Sequence, residues 1–195
     1  DTKIEKGELN YQHLLDIYPF ENQLNVMEMS GHEIEKYLEY SYGTWLNANP
    51  VQNGHLLQLK TDGKRNKARL INPGYNFDSA AGIIYEVDIT KPEGERIHII
   101  SLADGAAFDP DATYKVALTS YRASGGGYLL EKGAGIPKAQ LEDRIVARLA
   151  DIREILYAQI QSDGYINAVP LNQWKFVPEK LATQLAEKDY HLLFR

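Results

Sequence analysis

Apolar and polar positions alternate most regularly in the middle of the chain. Ile83, Tyr85, Val87 and Ile89 fall on one face, against Ile84, Glu86, Asp88 and Thr90 on the other. After the turn residues K-P-E-G-E, Ile97 and Ile99 resume the same period. Two such runs joined by a turn predict a β-hairpin. Asp104-Gly105 turns the chain again, and Thr113–Ser120 carries Tyr114, Val116 and Leu118 on one face. Successive hairpins predict an antiparallel or mixed sheet whose last strand ends at Tyr121. Nearer the start, partial alternation over Leu24–Met29 predicts a half-buried strand.

The period changes to that of a helix over Ser30–Tyr42. Ser30 and Glu33 form S-x-x-E, in which each side chain satisfies a backbone N–H at the helix start. Ile34, Tyr37, Leu38 and Ser41 then make one buried stripe, and Gly43 is a stop. A second helix is predicted from Pro137 to about Gln161, on Leu141, Ile145, Leu149, Ile152 and Leu156, with Asp163-Gly164 ending it. Gly7–Tyr18 reads as a turn, an extended piece and a helical turn interrupted by Pro19. Trp45–Lys67 is a polar excursion with Asn-Pro, Asn-Gly and Asp-Gly pairs and at most a short strand, His55–Leu59. Tyr165–Val169 and Trp174–Val177 are expected as short edge strands, and Pro178–Lys188 as a last helix. Strands interleaved with helices, without repeats, predict one α+β domain over residues 1–195.

Composition adds exclusions. The chain has 195 residues, 44% apolar and 25% charged, as expected of a globular domain. A net charge of −6, with no basic stripe, argues against a nucleic-acid surface. There is no cysteine, so neither disulfides nor thiolate metal sites arise. No apolar run reaches membrane-spanning length, so no membrane insertion is expected. The first residues, D-T-K-I-E-K-G-E, are neither a signal peptide nor an initiator methionine, and a fragment of a longer protein is expected.

Two loops hold the candidate chemistry. In T-S-Y-R-A-S-G-G-G-Y (Thr119–Tyr128) a strand ends in Tyr121 and Arg122, and three glycines follow. In N-P-G-Y-N-F-D (Asn72–Asp78) Tyr75 and Phe77 share parity, so in extended chain they would point the same way. An aromatic beside a glycine run can form a flat wall that seats a planar ligand. The same residues also suit an ordinary turn with core aromatics.

Other chemistry is missing. His13, His32, His55, His98 and His191 are scattered singly, and His32-Glu33 lacks the second histidine of a zinc helix because Lys36 stands there. No P-loop lysine follows Gly125–Gly127, and there is no G-x-S-x-G elbow. The chain therefore reads as a binding domain.

Five segments in order carry a resemblance: I-Y-P-F-E-N-Q-L (Ile17–Leu24), M-S-G-H-E-I-E-K-Y-L-E (Met29–Glu39), P-G-Y-N-F-D-S-A-A-G-I-I-Y-E-V-D (Pro73–Asp88), G-E-R-I (Gly94–Ile97) and Y-K-V-A-L-T-S-Y-R-A-S-G-G-G (Tyr114–Gly127). At this spacing the chain resembles the C-terminal domain of the 5′-nucleotidase family, most of all its 2′,3′-cyclic-nucleotide 2′-phosphodiesterase branch. The resemblance implies an α+β fold of α/β/β/α layers with mixed, largely antiparallel sheets. It implies nucleosides or nucleotides as ligands, and a base stacked between two rings, by position Phe77 and Tyr121. Tyr75, Arg122, Ser124, Gly125, Gly126 and Gly127 are the neighbouring candidates.

The resemblance also implies an N-terminal metallophosphatase domain with two divalent metal ions, outside this sequence, toward which the substrate domain swings. This domain itself is expected to bind no cofactor and, alone, to catalyse nothing. Relatives are periplasmic, secreted or on the cell surface. Two departures stand out. Many relatives carry aspartate where this chain has Gly127, so ribose contacts would fall to Ser124, Arg122 or backbone groups. The family's G-G-x-R segment is also missing, and no arginine precedes Arg65. The alternative to a nucleotidase domain is a stand-alone ligand-binding or interaction domain.

Overall fold

The computed structural model describes residues 4–62 and 67–194. In chain order the elements are α1 (Tyr11–Ile17), β1 (Gln23–Ser30), α2 (Gly31–Gly43), α3 (Pro50–Asn53), β2 (Leu59–Asp62), β3 (Lys67–Leu70), β4 (Ile83–Asp88), β5 (Ile97–Leu102), β6 (Thr113–Thr119), α4 (Ser120–Ala123), β7 (Ile145–Asp151), α5 (Ile152–Asp163), β8 (Trp174–Val177) and α6 (Glu179–Phe194). The fold is α+β, with mixed, largely antiparallel sheets. In one sheet β1 lies between β6 and β7, antiparallel to both. In another β4 lies between antiparallel β5 and parallel β8. A β2–β3 hairpin stands apart.

Helix α2 joins the two larger sheets, touching both β1 and β5. Its start is the predicted capping box. Ser30 Oγ accepts the Glu33 N–H at 3.2 Å, and the Glu33 carboxylate accepts the Ser30 N–H at 2.8 Å, together stabilising by about 1 kcal/mol. Tyr37, Leu38, Ser41 and Tyr42 are buried, while Ile34 is half-buried. The Tyr42 ring meets Phe77, Tyr85, Trp174 and Phe176 edge-on. The other end of α2 is tied to the hairpin through G-E-R-I. Glu39 accepts the N–H groups of Ile97 (2.5 Å) and Gly94 (3.1 Å), and buried Arg96 donates to the carbonyls of Lys91, Asn47 and Ala48.

The predicted hairpin forms as β4 and β5, with Ile83, Tyr85, Val87 and Ile89 buried. Strand β6 departs from expectation: it leaves the hairpin sheet and pairs with β1 from Leu24↔Thr119 to Ser30↔Thr113. A larger difference lies in the predicted helix 137–161. Only single 3₁₀ turns follow Pro137, Ile145–Asp151 is a strand, and the helix begins at Ile152. The other edge of β1 takes up Ile145, Ala147 and Arg148, and ladder hydrogen bonds along that edge outweigh the local 3.6 period. Asp151 then caps α5 by accepting the Arg153 N–H, and Gly164 ends it at φ +74°.

Smaller corrections follow the same logic. The expected strand His55–Leu59 begins instead at Leu59, where β3 supplies a partner. Residues 165–169 are exposed and irregular, and among the described residues no strand pairs with them. Helix α6 continues past Lys188 to Phe194. The predicted Asp62-Gly63 turn runs into residues 63–66, outside the described residues.

Candidate functional site

A cleft of about 1010 Å³ opens between β6 and the segment Asp78–Ile83. That volume is at the upper end for small-molecule sites. Val116 and Leu118 of β6, Ile83 and Leu102 of the hairpin sheet, and Tyr37 and Leu38 of α2 line it. Three of the rings in its lining are exposed: Phe20 (48%), Tyr75 (64%) and Tyr121 (45%). They form a rim above an apolar interior.

Tyr121 is held from three directions. It sits in α4, whose N-cap Thr119 accepts the Arg122 N–H at 3.2 Å. Asn22 Oδ1 accepts the Tyr121 N–H (3.1 Å) and the Ser120 hydroxyl (3.2 Å), while Asn22 Nδ2 donates to the Tyr18 hydroxyl (2.9 Å). Behind the ring, the glycine run doubles back at Gly125 (φ +95°) and Gly127 (φ +73°). A Cβ on Gly126 would clash with the Tyr121 ring, and one on Gly127 with the Arg122 guanidinium. The glycines thus let backbone lie against these two side chains. Tyr75 lies in a 3₁₀ turn, Gly74–Asn76, and is edge-on to Phe20, which is edge-on to Tyr18, at centroid distances of 6.4 and 5.9 Å.

That turn separates Tyr75 from Phe77, so the parity expected of extended chain does not apply. Phe77 does not line the cleft. It stacks on Trp45 at 4.3 Å, with 15° between the planes, and meets Tyr42 edge-on at 4.9 Å. Its ring is engaged in core packing, and the cleft brings Phe20 and Tyr75, not Phe77, to the same opening as Tyr121. Ser124, Gly125, Gly126 and Gly127 also lie outside the lining, and the Ser124 hydroxyl donates to the Tyr121 carbonyl at 3.0 Å.

Arg122 lines the cleft but is only 4% exposed. Nε and Nη2 grip the Asp78 carboxylate at 2.8 and 2.7 Å. Nη2 also donates to the Tyr75 carbonyl at 3.1 Å, and Nη1 donates to the Gly126 carbonyl at 3.1 Å and Asn76 Oδ1 at 3.4 Å. A guanidinium has five N–H donors, and all are used here. Arg122 therefore has none left for ribose hydroxyls. Burial alone would lower its pKa, but the hydrogen bonds and charge of Asp78 outweigh that and raise it.

Asp78 is itself fixed by α2. The Tyr37 hydroxyl donates to its carboxylate, and Ser41 Oγ donates to its carbonyl (2.7 Å) and accepts its N–H (2.8 Å). Burial first, and then the Asp78 charge, push the Tyr37 phenol far up. Tyr37, Asp78, Phe20 and Asn22 were not singled out as site residues by sequence. The signal available was a pair of complementary charges, Asp78 after one aromatic loop and Arg122 after the other. Among the described residues no three His, Asp or Glu side chains gather as a metal site.

The sequence matches the family described as 5′-nucleotidase, C-terminal domain, over residues 1–131. It is 26% identical over 188 residues to the trifunctional nucleotide phosphoesterase protein YfkN of Bacillus subtilis, covering 91% of this chain and 12% of that protein. It is 28% identical over 189 residues to a 2′,3′-cyclic-nucleotide 2′-phosphodiesterase/3′-nucleotidase of Salmonella typhimurium, covering 91% of this chain and 27% of that protein. The chain thus spans about a quarter or less of these curated relatives. Among solved structures, the fold is similar to the NAD nucleotidase of Haemophilus influenzae (TM-score 0.54, 18% identity, 86% of this chain and 26% of that chain). It is also similar to the 5′-nucleotidase precursor of Thermus thermophilus (TM-score 0.50, 20% identity, 85% of this chain and 27% of that chain).

Proposed function

The chain belongs to the 5′-nucleotidase C-terminal domain family, and from that premise we propose that it holds the nucleoside of a nucleotide for a phosphoester hydrolase. The observation that carries this is the set of three rings, Phe20, Tyr75 and Tyr121, all exposed and all lining one cleft. A base slides between or against such rings. Each stacking contact is worth about 1–3 kcal/mol and tolerates any base, because every base has a π-face. The reading is therefore a site of broad base preference.

Stacking the base fixes where the phosphate projects, and holding the reactant in one orientation removes part of the entropic barrier to its reaction. Metal ions held by another part of the protein would supply an activated water and neutralise phosphate charge. This chain's share is to bind, orient and exclude water: the apolar side chains Val116, Leu118, Ile83 and Leu102 leave the interior poorly suited to bulk solvent. With the Arg122 donors engaged, ribose recognition falls to other groups. The same reading places the parent protein in the periplasm, in the secreted fraction or on the cell surface. Among the described residues no helix is long and apolar enough to cross a membrane.

Titration of the 195-residue chain with adenosine, uridine and their monophosphates tests the proposal. Saturable binding of both nucleosides, weakened by Tyr121→Ala and by Phe20→Ala or Tyr75→Ala, is expected. Wild-type affinity in all three variants would overturn it.

A further inference from the structure

Asn22 and Tyr121 are 99 residues apart in sequence, yet a side chain of the loop that bears Phe20 bonds directly to the Tyr121 backbone. We infer that Tyr18 is a positioning residue for the rim of the cleft, acting through Asn22 on the Tyr121 ring. The role rests on the reading of Tyr121 and the exposed rings beside it as the nucleoside site.

Tyr18 reaches both sides of the opening. It closes α1, where its N–H donates to the carbonyl of buried Leu14 at 2.9 Å, so its backbone is tied to the core. Its ring meets Phe20 edge-on at 5.9 Å, and its hydroxyl accepts Asn22 Nδ2 at 2.9 Å. At the other end of the amide, Asn22 Oδ1 accepts the Tyr121 N–H (3.1 Å) and the Ser120 hydroxyl (3.2 Å). Ser120 Oγ in turn accepts the Gln23 N–H at 3.1 Å. A backbone N–H can only donate, so Oδ1 has to face Tyr121 and the NH₂ group has to point away from it. Among the described residues the Tyr18 hydroxyl is the one group that accepts from Asn22 Nδ2. The amide is thus gripped at both ends. Without that hydroxyl the Asn22 side chain can turn about its χ angles, and Tyr121 loses a fixed anchor on the Phe20 loop.

The test is Tyr18→Phe, which keeps the ring against Phe20 and removes only the hydroxyl, made in the wild-type and Asn22→Ala backgrounds. Two quantities are read by NMR on the folded chain, well below each variant's melting temperature. One is the resonance and hydrogen exchange of the Tyr121 amide without ligand, and the other is binding of adenosine and uridine. In Tyr18→Phe the Tyr121 amide should shift and exchange faster, while the amides of α2 stay as in the wild type. Both nucleosides should bind about 2- to 10-fold more weakly, the value of one hydrogen bond. In the Asn22→Ala background the same change should add almost nothing. Wild-type affinity for Tyr18→Phe overturns the inference. Losses that multiply fully in the double variant also overturn it, because they mean that Tyr18 acts independently of Asn22.

A Tyr121 amide that keeps its wild-type resonance and exchange rate in the folded variant overturns the positioning role as well. Tyr18→Leu puts an apolar side chain beside Phe20 without the hydroxyl, and it serves if Tyr18→Phe does not fold. Unchanged binding in Phe20→Ala, Tyr75→Ala and Tyr121→Ala would instead bring down the reading of the rim as a nucleoside site. Loss in Tyr121→Ala with full binding in Tyr18→Phe would bring down only the role of Tyr18.

Discussion

Removing the Asp78 carboxylate should be among the most damaging single changes in this domain. In Asp78→Ala, Arg122, whose side chain is 5% exposed in the wild type, loses two charge-assisted hydrogen bonds, and the Tyr37 hydroxyl loses its acceptor. Stripping one partner from a buried ion pair costs about 3–5 kcal/mol. Asp78 is 24% exposed, so solvent can reach part of the vacated space, and the lower end, about 3 kcal/mol, is expected. The orphaned Tyr37 hydroxyl adds about 1 kcal/mol. For a domain of this length each kcal/mol lowers the melting temperature by about 2–4 °C, so a fall of about 8–16 °C is expected.

The assay is urea unfolding followed by tryptophan fluorescence, since Trp45 and Trp174 both pack against Tyr42 or Phe77 in the core. The companion variant Asp78→Ala with Arg122→Met removes both charges and should be more stable than Asp78→Ala alone. A loss below about 1 kcal/mol for Asp78→Ala, in the range of exposed pairs, would refute the buried network. A double variant less stable than the single would do the same.

Two further predictions concern pH. Burial raises the Glu39 pKa above its usual 4.5, outweighing the backbone N–H groups that bond to it. Above its folded pKa the buried charge costs stability in full. The penalty lifts as pH falls through the folded pKa and is gone below 4.5. Wild type should therefore gain melting temperature relative to Glu39→Gln as pH is lowered across that window, and a flat difference would contradict the burial argument. Burial likewise raises the phenol pKa values of Tyr37, Tyr42 and Tyr85 above the usual 10.0, so their stabilising contribution is complete below that value and is lost as pH rises through the folded values. In an ultraviolet titration these three of the thirteen tyrosines should ionise only with alkaline unfolding; their ionisation in the folded protein would exclude the arrangement around Asp78 and Tyr85.

How much was legible in sequence depended on whether the signal was local. The capping box at Ser30, the alternation through Ile89 and the turn before Ile97 depend on near neighbours, and they became α2, β4 and β5. Strand β7 was hidden because Ile145, Leu149 and Ile152 satisfy a helical period, while the open edge of β1 that captures Ile145–Asp151 lies more than a hundred residues away. The site shows the same division. Both aromatic loops are identifiable from rings beside glycine, but only the fold puts Phe20 and Tyr75 in the cleft lining and Phe77 against Trp45. Arg122 is a candidate ribose contact by sequence only because Gly127 stands where many relatives carry aspartate. Only the fold brings Asp78, Asn76 and the Tyr75 carbonyl within reach of its five donors.

The most direct measurement is a calorimetric titration of adenosine into the folded chain and three variants, Phe20→Ala, Tyr121→Ala and Phe77→Leu. Saturable binding in the wild type is expected, with a loss of about 1–3 kcal/mol in Phe20→Ala and in Tyr121→Ala, and near wild-type affinity in Phe77→Leu, whose ring packs on Trp45. Binding that survives both of the first two changes but disappears in Phe77→Leu, or no binding by the folded wild type, would contradict a nucleoside site lined by the exposed rings.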